Sequence, residues 1–328
     1  MRIVINEKDL PGRLEELFFP VQLRLLYWEE EPPLMGPVHV KECDPAFFGV
    51  LDVDKSRIFA AVTQGYLLIT NQVAYNFGCE IAQILFHTES KDDIKCIHAE
   101  LSSNRAVCQI DLRSKLDIGQ PLMNEGWCFF MRVINSYNKT KKLEYIVGFF
   151  NVAHGYGFLD NTIAISANTA HYNQFRSYQM DIWKQIKEKE HVIKQLELTF
   201  LSKISTLKQL LISKESILPM FCKVFGIKKT NINSPQHQSL IDTKNYIEKQ
   251  ATDLTQQYGQ NAYALLNVFA EYEYKYDTNS LRFLLRQDQF KLGKWVDDLI
   301  VNSKAADFSL YNYIGKEAYD AAEWLRTL

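Results

Sequence analysis

The stretch that decides the fold is RSYQMDIWKQIKEKEHVIKQLELTFLSKISTLKQLLIS, residues 176–213. It contains no Gly and no Pro, and its apolar residues recur at steps of three and four, with Lys189 in the one gap. The series comprises Ile182, Ile186, Ile193, Leu196, Phe200, Ile204, Leu207 and Leu211. This spacing places side chains on one face of an α-helix. At about 1.5 Å per residue the helix would be roughly 57 Å long.

Two interpretations of this helix follow from its length. It is expected to form the central core helix of one domain, because one continuous apolar face needs one continuous partner. Since few single domains are so wide, the alternative is that part of the helix also builds a homo-oligomer interface.

Upstream of the helix, residues 94–165 carry the signature of β-strands. Arg105–Leu112 alternates cleanly, with Cys108 and Ile110 facing one way and Gln109 the other. Strands are also predicted at Ile94–Leu101, Trp127–Ile134, Leu143–Phe150 and Thr162–Ile165, with two shorter ones at Arg57–Thr63 and Tyr66–Ile69. A run of strands followed by a run of helices is typical of the α+β class. The sequence therefore predicts an α+β protein: an antiparallel sheet followed by a long helix, with a helical C-terminal part.

The chain is expected to have three parts. Residues 1–56 form an irregular N-terminal lead-in with a candidate strand at Val21–Trp28. Residues 57–225 form the α+β core with the long helix 176–213. Residues 236–328 form a helical part packed on that core. Near the start of the core, Thr70 or Asn71 caps a second helix, in which Gly78 indicates close packing.

Composition bounds the class of protein. The 328 residues carry 37 Lys and Arg against 39 Asp and Glu, a net charge of −2, so no overall basic character indicates nucleic acid. However, residues 176–229 hold eleven basic residues against five acidic ones. No apolar run approaches the roughly 18 residues of a transmembrane helix, and the N-terminus resembles no targeting peptide. We expect a cytoplasmic protein with no membrane partner.

No metal, cofactor or catalytic site is predicted from motifs. The cysteines at 43, 79, 96, 108, 128 and 222 form no CxxC pair, which suits buried free thiols in a reducing compartment. Phosphate-binding loops, dinucleotide fingerprints and HExxH are absent from the sequence. His154 and His171 are the one pair that could meet as an enzyme or metal site. Turn and cap roles are the commoner explanation for such histidines, so a non-enzymatic protein is favoured.

The loop Asn135–Lys142 concentrates lysines, amides and one ring on a hairpin tip. Lysines neutralise phosphate, and an exposed tyrosine can stack on an unpaired base. A basic hairpin beside a basic helix predicts a track for single-stranded nucleic acid, whereas an ordinary soluble Lys-rich turn is the alternative. The predicted contacts are Lys139, Lys141, Lys142, Tyr137, Arg132, Lys184 and Lys187.

Several short motifs, spread over about residues 60–275, resemble those of a phage/plasmid-like family of unknown function. The matching positions are Asn135, Ser136, Gly148, Phe149, Phe150 and Gly157, with Gly65–Asn71 upstream and Asn261–Asn267 downstream. Asn138-Lys139 stands where that family has Asp-Gly, Asn151 where it has Arg, and His154 and Tyr156 where it has Cys and Asn. The resemblance implies a mobile-element gene, often carried with DNA replication, recombination or anti-defence functions, and it supplies no reaction.

The leading functional hypothesis is a non-enzymatic protein of phage or plasmid type that binds or anneals single-stranded DNA. The alternative is an oligomeric protein-binding module, such as an inhibitor of a host defence complex, because Tyr and Phe are abundant and aromatic residues anchor protein interfaces.

Overall fold

A computed structural model gives the arrangement of most of the chain. It describes residues 3–6, 9, 12–29, 40–42, 47–115, 121–167, 175–229, 234–275 and 290–328.

The largest sheet has six strands in the order β1-β7-β8-β9-β10-β11. Its strands are β1 (Ile3–Asn6), β7 (Ile94–Leu101), β8 (Val107–Ser114), β9 (Trp127–Ser136), β10 (Leu143–Asn151) and β11 (Tyr156–Ala167). Strands β7, β8 and β9 pair antiparallel, with Leu101 opposite Cys108 and Cys108 opposite Asn135. Six residues connect β9 to β10 and four connect β10 to β11, and connections that short join antiparallel strands.

Two small sheets come from the N-terminal part. One consists of β2 (Val21–Leu25), β5 (Phe47–Asp52) and β6 (Arg57–Thr63), in the order β2-β5-β6. The other pairs β3 (Tyr27–Glu29) with β4 (Val40–Glu42). The strand predicted at Tyr66–Ile69 is wrong, because the chain there joins no ladder and runs directly into a helix.

The first helix, α1 (Asn71–Leu85), packs on the large sheet. Thr70 is its N-cap, and its Oγ1 accepts the N–H of Val73 at 3.3 Å. A Cβ on Gly78 would lie 2.8 Å from Val133 Cγ2 and 3.3 Å from Leu112 Cδ1. Only glycine lets the helix approach the sheet so closely, which confirms that Gly78 marks close packing.

A four-residue helix, α2 (Pro121–Asn124), precedes β9. The long helix is α3 (Phe175–Gln209), which follows β11. All the predicted apolar positions up to Leu207 are buried, whereas Leu211 lies beyond the end of the helix and is exposed. Lys189 fills the gap in the apolar series because its Nζ donates to the carbonyl of Ala164 on β11, the edge strand. The helix therefore satisfies part of an otherwise open sheet edge.

The C-terminal part is helical. It contains α4 (Lys214–Phe225), α5 (Ser234–Tyr258), α6 (Ala262–Lys275), α7 (Lys291–Asn302), α8 (Leu310–Ile314) and α9 (Lys316–Thr327). The predicted α+β class, with an antiparallel sheet, a long helix and a helical C-terminal part, is confirmed.

The chain forms two compact units that interleave along the sequence. The first unit comprises residues 1–118, 129–147 and 163–193, and the second comprises residues 119–128, 148–162 and 194–328. Strands β9, β10 and β11 and helix α3 each contribute residues to both units. The division into three consecutive parts stays a prediction.

Five cysteines, at 79, 96, 108, 128 and 222, are buried free thiols, and Cys43 lies outside the described residues. None of the helices in the described ranges is long and apolar enough to cross a membrane.

Candidate nucleic-acid interface

The hairpin tip between β9 and β10 is shaped by the side chain of Asn138. Its Oδ1 accepts from Ser136 Oγ at 2.7 Å, from Thr140 Oγ1 at 2.6 Å and from the N–H of Thr140 at 3.2 Å. Asparagine favours such turns because its short amide can bond the backbone two residues on. Lys139 follows with φ of 61°, a left-handed conformation that turns the chain back into β10.

Lys139, Lys141 and Lys142 are exposed at this tip. Lys139 Nζ donates to the carbonyl of Ala61 on β6 at 3.0 Å, which holds that ammonium against the small sheet. An ammonium has three hydrogens, so this bond leaves donors for an anion.

Tyr137 does not belong to the exposed tip. Its side chain is 1% exposed, and its ring stacks on Phe59 at 5.4 Å and meets Phe19 edge-on at 5.7 Å. Its hydroxyl accepts the N–H of Asn71 at 2.8 Å, and burial raises the pKa of the hydroxyl. The predicted stacking of Tyr137 on a base is therefore wrong, because no face of the ring is accessible.

Arg132 is also committed inside the protein. Its Nε and Nη2 bind both carboxylate oxygens of Asp111 at 2.7 and 2.8 Å, and Asp111 is 0% exposed. A buried carboxylate needs a paired cation, so the guanidinium is required where it is. Its predicted role as a phosphate contact is corrected to a structural ion pair. The pair depends on the register of β8 and β9, which places Asp111 opposite Arg132.

Lys184 and Lys187 are exposed on α3. Gln185, which lies between them, donates to the carbonyl of Ser166 at 3.3 Å. Lys189, which follows them, donates to the carbonyl of Ala164. This turn of α3 therefore lies beside the C-terminal end of β11. A short turn joins β10 to β11, so the last residues of β11 and the first residues of β10 lie at the same end of the sheet. The first residues of β10 directly follow the hairpin tip. The fold brings both predicted lysine groups to one end of the sheet.

Two acidic residues of the neighbouring β5–β6 turn share one cation. Arg105 binds Asp52 and Asp54, each at 3.2 Å, and its guanidinium lies 3.7 Å from the centre of the Phe19 ring. The guanidinium of Arg105 thus offsets part of the negative charge of the β5–β6 turn.

In the first unit, residues that carry the family resemblance support the fold. Asn135 Nδ2 donates to the carbonyl of Ile69 at 3.0 Å and to Asn71 Oδ1 at 2.9 Å. Asn71 Nδ2 in turn donates to the carbonyl of Leu17 at 2.9 Å. All these bonds are buried, so the amides join the hairpin, helix α1 and the N-terminal segment rather than contacting a ligand.

A second buried cluster lies in the second unit. Asn267 Oδ1 accepts from Tyr156 OH at 2.6 Å and from Asn151 Nδ2 at 3.2 Å. His154 Nε2 lies 2.7 Å from the hydroxyl of Tyr258. The N–H of His154 donates to Asn151 Oδ1 at 3.2 Å, so three of the positions that depart from the family pattern, Asn151, His154 and Tyr156, belong to one hydrogen-bonded network. His171, the other half of the enzyme hypothesis, lies outside the described residues.

No group of three or more His, Cys, Asp or Glu in the described part of the chain could hold a metal ion. Comparisons with family models, with curated proteins and with solved structures found no match. The resemblance to the phage/plasmid-like family therefore stays a prediction.

Proposed function

We propose that the protein binds single-stranded nucleic acid, without catalysis, through the hairpin–helix lysines Lys139, Lys141, Lys142, Lys184 and Lys187. The observation that supports this most is that all five are exposed and that the fold gathers them at one end of the large sheet. Since Tyr137 and Arg132 are engaged elsewhere, the contacts at this site are to phosphates. Binding is then independent of sequence and strongly dependent on salt.

Phosphate contacts leave the base edges of a bound strand open. A strand held in this way can pair with a complementary strand, so annealing of single-stranded DNA is the finer form of the proposal. The resemblance to a family of mobile-element proteins is consistent with such a role.

The test is binding of a labelled oligothymidine across a salt series, comparing the wild type with the triple variant Lys139→Glu, Lys141→Glu and Lys142→Glu. If all five lysines contact phosphates, the logarithm of the association constant should fall with log salt with a slope of about −3.5, since each contact adds about −0.7. The triple variant should lose binding, because three attractive contacts become repulsive.

The matched control changes Lys249, Lys304 and Lys316 to Glu. These lysines are exposed elsewhere, and the substitutions alter the net charge by the same amount. The control should keep most of the affinity. A hairpin variant that binds as tightly as the wild type would remove the hairpin from the site.

A second candidate function, protein binding, is favoured by the outward face of the β2-β5-β6 sheet. Phe47 is 47% exposed and Ile58 is 52% exposed, and Leu26 and Ile58 both lie over Gly49 on the same face. Apolar residues gathered on one sheet face are typical of interaction sites. Sedimentation velocity over a concentration series should show self-association that Phe47→Asp with Ile58→Asp abolishes. A wild type that remains monomeric throughout would count against self-association through this face.

A further inference from the structure

The small β2-β5-β6 sheet turns one face outward, and the middle of that face is apolar. Phe47, Gly49 and Leu51 alternate along β5 and therefore lie on the same side of the sheet. Ile58 on β6 lies opposite Leu51, and Leu26 and Ile58 both lie over Gly49. Phe47 is 47% exposed and Ile58 is 52% exposed, so this apolar strip reaches solvent.

Cations lie on both sides of the apolar strip. Arg24 on β2 and Ala61 on β6 are each opposite Gly49, so the three residues form one row across the sheet. Arg24 is exposed at one end of this row. At the other end, Lys139 Nζ donates to the carbonyl of Ala61 at 3.0 Å. The apolar strip therefore has a guanidinium at one border and an ammonium at the other.

Within the described ranges, the outward face of the three strands carries no acidic side chain. Its members are Gln22, Arg24, Phe47, Gly49, Leu51, Ile58, Ala61 and Thr63. Asp52 is 1% exposed and belongs to the opposite face, and Asp54 lies in the turn after β5. With these strands, their turn and the bonded side chains of Arg105 and Lys139 taken together, five basic residues stand against two acidic ones. The surface therefore has a positive excess whichever pairs form.

The dimensions of this surface match those of an α-helix. Phe47 and Leu51 lie roughly 13 Å apart along β5, at about 3.3 Å per residue. Positions i and i+8 of a helix are about 12 Å apart. Strands β2 and β6 lie about 9.6 Å apart, at about 4.8 Å between neighbouring strands, and a helix with its side chains is about 10–12 Å wide. A helix lying along β5 would place its apolar residues on the strip and its flanks beside Arg24 and Lys139.

We infer that the outward face of the β2-β5-β6 sheet binds an acidic amphipathic helix of a partner protein. The inference rests on the second candidate function, protein binding, and names its partner; it does not depend on nucleic-acid binding. Amphipathic helices bind through apolar residues three and four positions apart, which here meet the apolar strip. Carboxylates beside that apolar stripe would meet Arg24 and Lys139, and complementary charge across an interface sets the choice of partner. A second copy of the chain presents the same cations, so an acidic helix is the better occupant.

The test is fluorescence anisotropy with three labelled peptides of about 14 residues, which is long enough to cover the strip. The first has Leu at helical spacing with Glu on both flanks, the second has the same composition in scrambled order, and the third has Lys in place of Glu. The wild type should bind the first peptide roughly ten-fold more tightly than either of the others. Only the first peptide offers both an apolar stripe and the opposite charge.

Two variants test the two kinds of contact. Phe47→Asp with Ile58→Asp should abolish binding of the first peptide, because the apolar strip is lost. Arg24→Glu should weaken binding of the first peptide roughly five-fold. It should also bind the third peptide more tightly than the wild type does, a gain that a damaged fold would not produce. Lys249→Glu, at an exposed position on α5, makes the same change of charge and should match the wild type on all three peptides.

The outcomes separate this inference from the other proposals. Neither variant alters a hairpin–helix lysine, so both should bind oligothymidine like the wild type, and failure of oligothymidine binding overturns only the proposed function. A wild type that binds the three peptides equally, or binds none at low salt, overturns the inference. The first peptide should dissociate any self-association through this face; self-association that persists at saturating peptide would assign the face to a second copy. Binding of phosphatidylserine vesicles in place of the first peptide would assign it to lipid.

Discussion

The side chain of Tyr137, in the connection between β9 and β10, stabilises the first turn of α1. The N–H groups in the first turn of a helix have no partner inside the helix, and the hydroxyl of Tyr137 accepts that of Asn71. The ring fills the space between Phe19 and Phe59. In the sequence, a tyrosine in a Lys-rich loop resembles a base-stacking residue. In the structure, this tyrosine supports the fold.

Tyr137→Phe should lower the free energy of unfolding by about 1–3 kcal/mol, because the Asn71 N–H loses its acceptor while the ring still packs. Urea denaturation measures this change. Tyr311→Phe, at an exposed ring, is the control and should stay within about 0.5 kcal/mol of the wild type. Oligothymidine binding by Tyr137→Phe should be unchanged; a large loss of affinity at unchanged stability would restore Tyr137 to the binding site.

Among the elements, α3 could be predicted most fully from the sequence. Its apolar period alone identifies the buried face, because burial along a helix follows local spacing. The role of Lys189 could not be predicted, since its acceptor is a carbonyl of β11, a separate strand whose position depends on the whole sheet. In the second unit Phe200 of α3 stacks on Phe149 at 3.6 Å, a contact between residues far apart in the chain.

The sheet was predictable strand by strand but not in its pairings. Alternation predicted β8, and a strand was predicted at Trp127–Ile134, where β9 lies. The Arg132–Asp111 ion pair depends on which strands are neighbours and on their register, which places Asp111 opposite Arg132. For the same reason the exposed lysines of the candidate site were predictable from the sequence, whereas the burial of Tyr137 and the ion pair of Arg132 were not. Exposure at a turn is local, but burial and ion pairing depend on distant partners.

At the scale of the whole molecule, charge is distributed unevenly about a total near neutrality. The net charge of −2 gives no general attraction for polyanions, so the proposed binding would have to come from a local lysine cluster. Binding of that kind would act over short distances and weaken quickly as salt screens it, because the Debye length is about 8 Å at physiological ionic strength.

Buried acids in both units should make the molecule sensitive to alkaline pH. Burial raises the pKa of the Cys79 thiol from 9.0 to about 11 and that of Cys222 from 9.0 to about 12. It likewise raises the pKa of Cys96, Cys108 and Tyr156. Below pH 9 both the folded and the unfolded chain keep the thiol protons, so the contribution of the buried thiols to the free energy of unfolding is fully present. Above pH 9 the unfolded chain releases them while the folded chain retains them, so stability falls until the folded pKa is passed.

Each buried thiol should therefore remove about 1.4 kcal/mol of the free energy of unfolding per pH unit above its unfolded pKa. Urea denaturation at pH 8, 9 and 10 should show a decline that steepens above pH 9, because thiols from both units titrate together on unfolding. Cys79→Ala should make the decline shallower by the share of one thiol, whereas Gln72→Ala, at an exposed position on α1, should leave it as it is. A free energy of unfolding that stays level from pH 8 to pH 10 would mean that the thiols reach solvent in the folded protein and that the packing around them is looser than these contacts require.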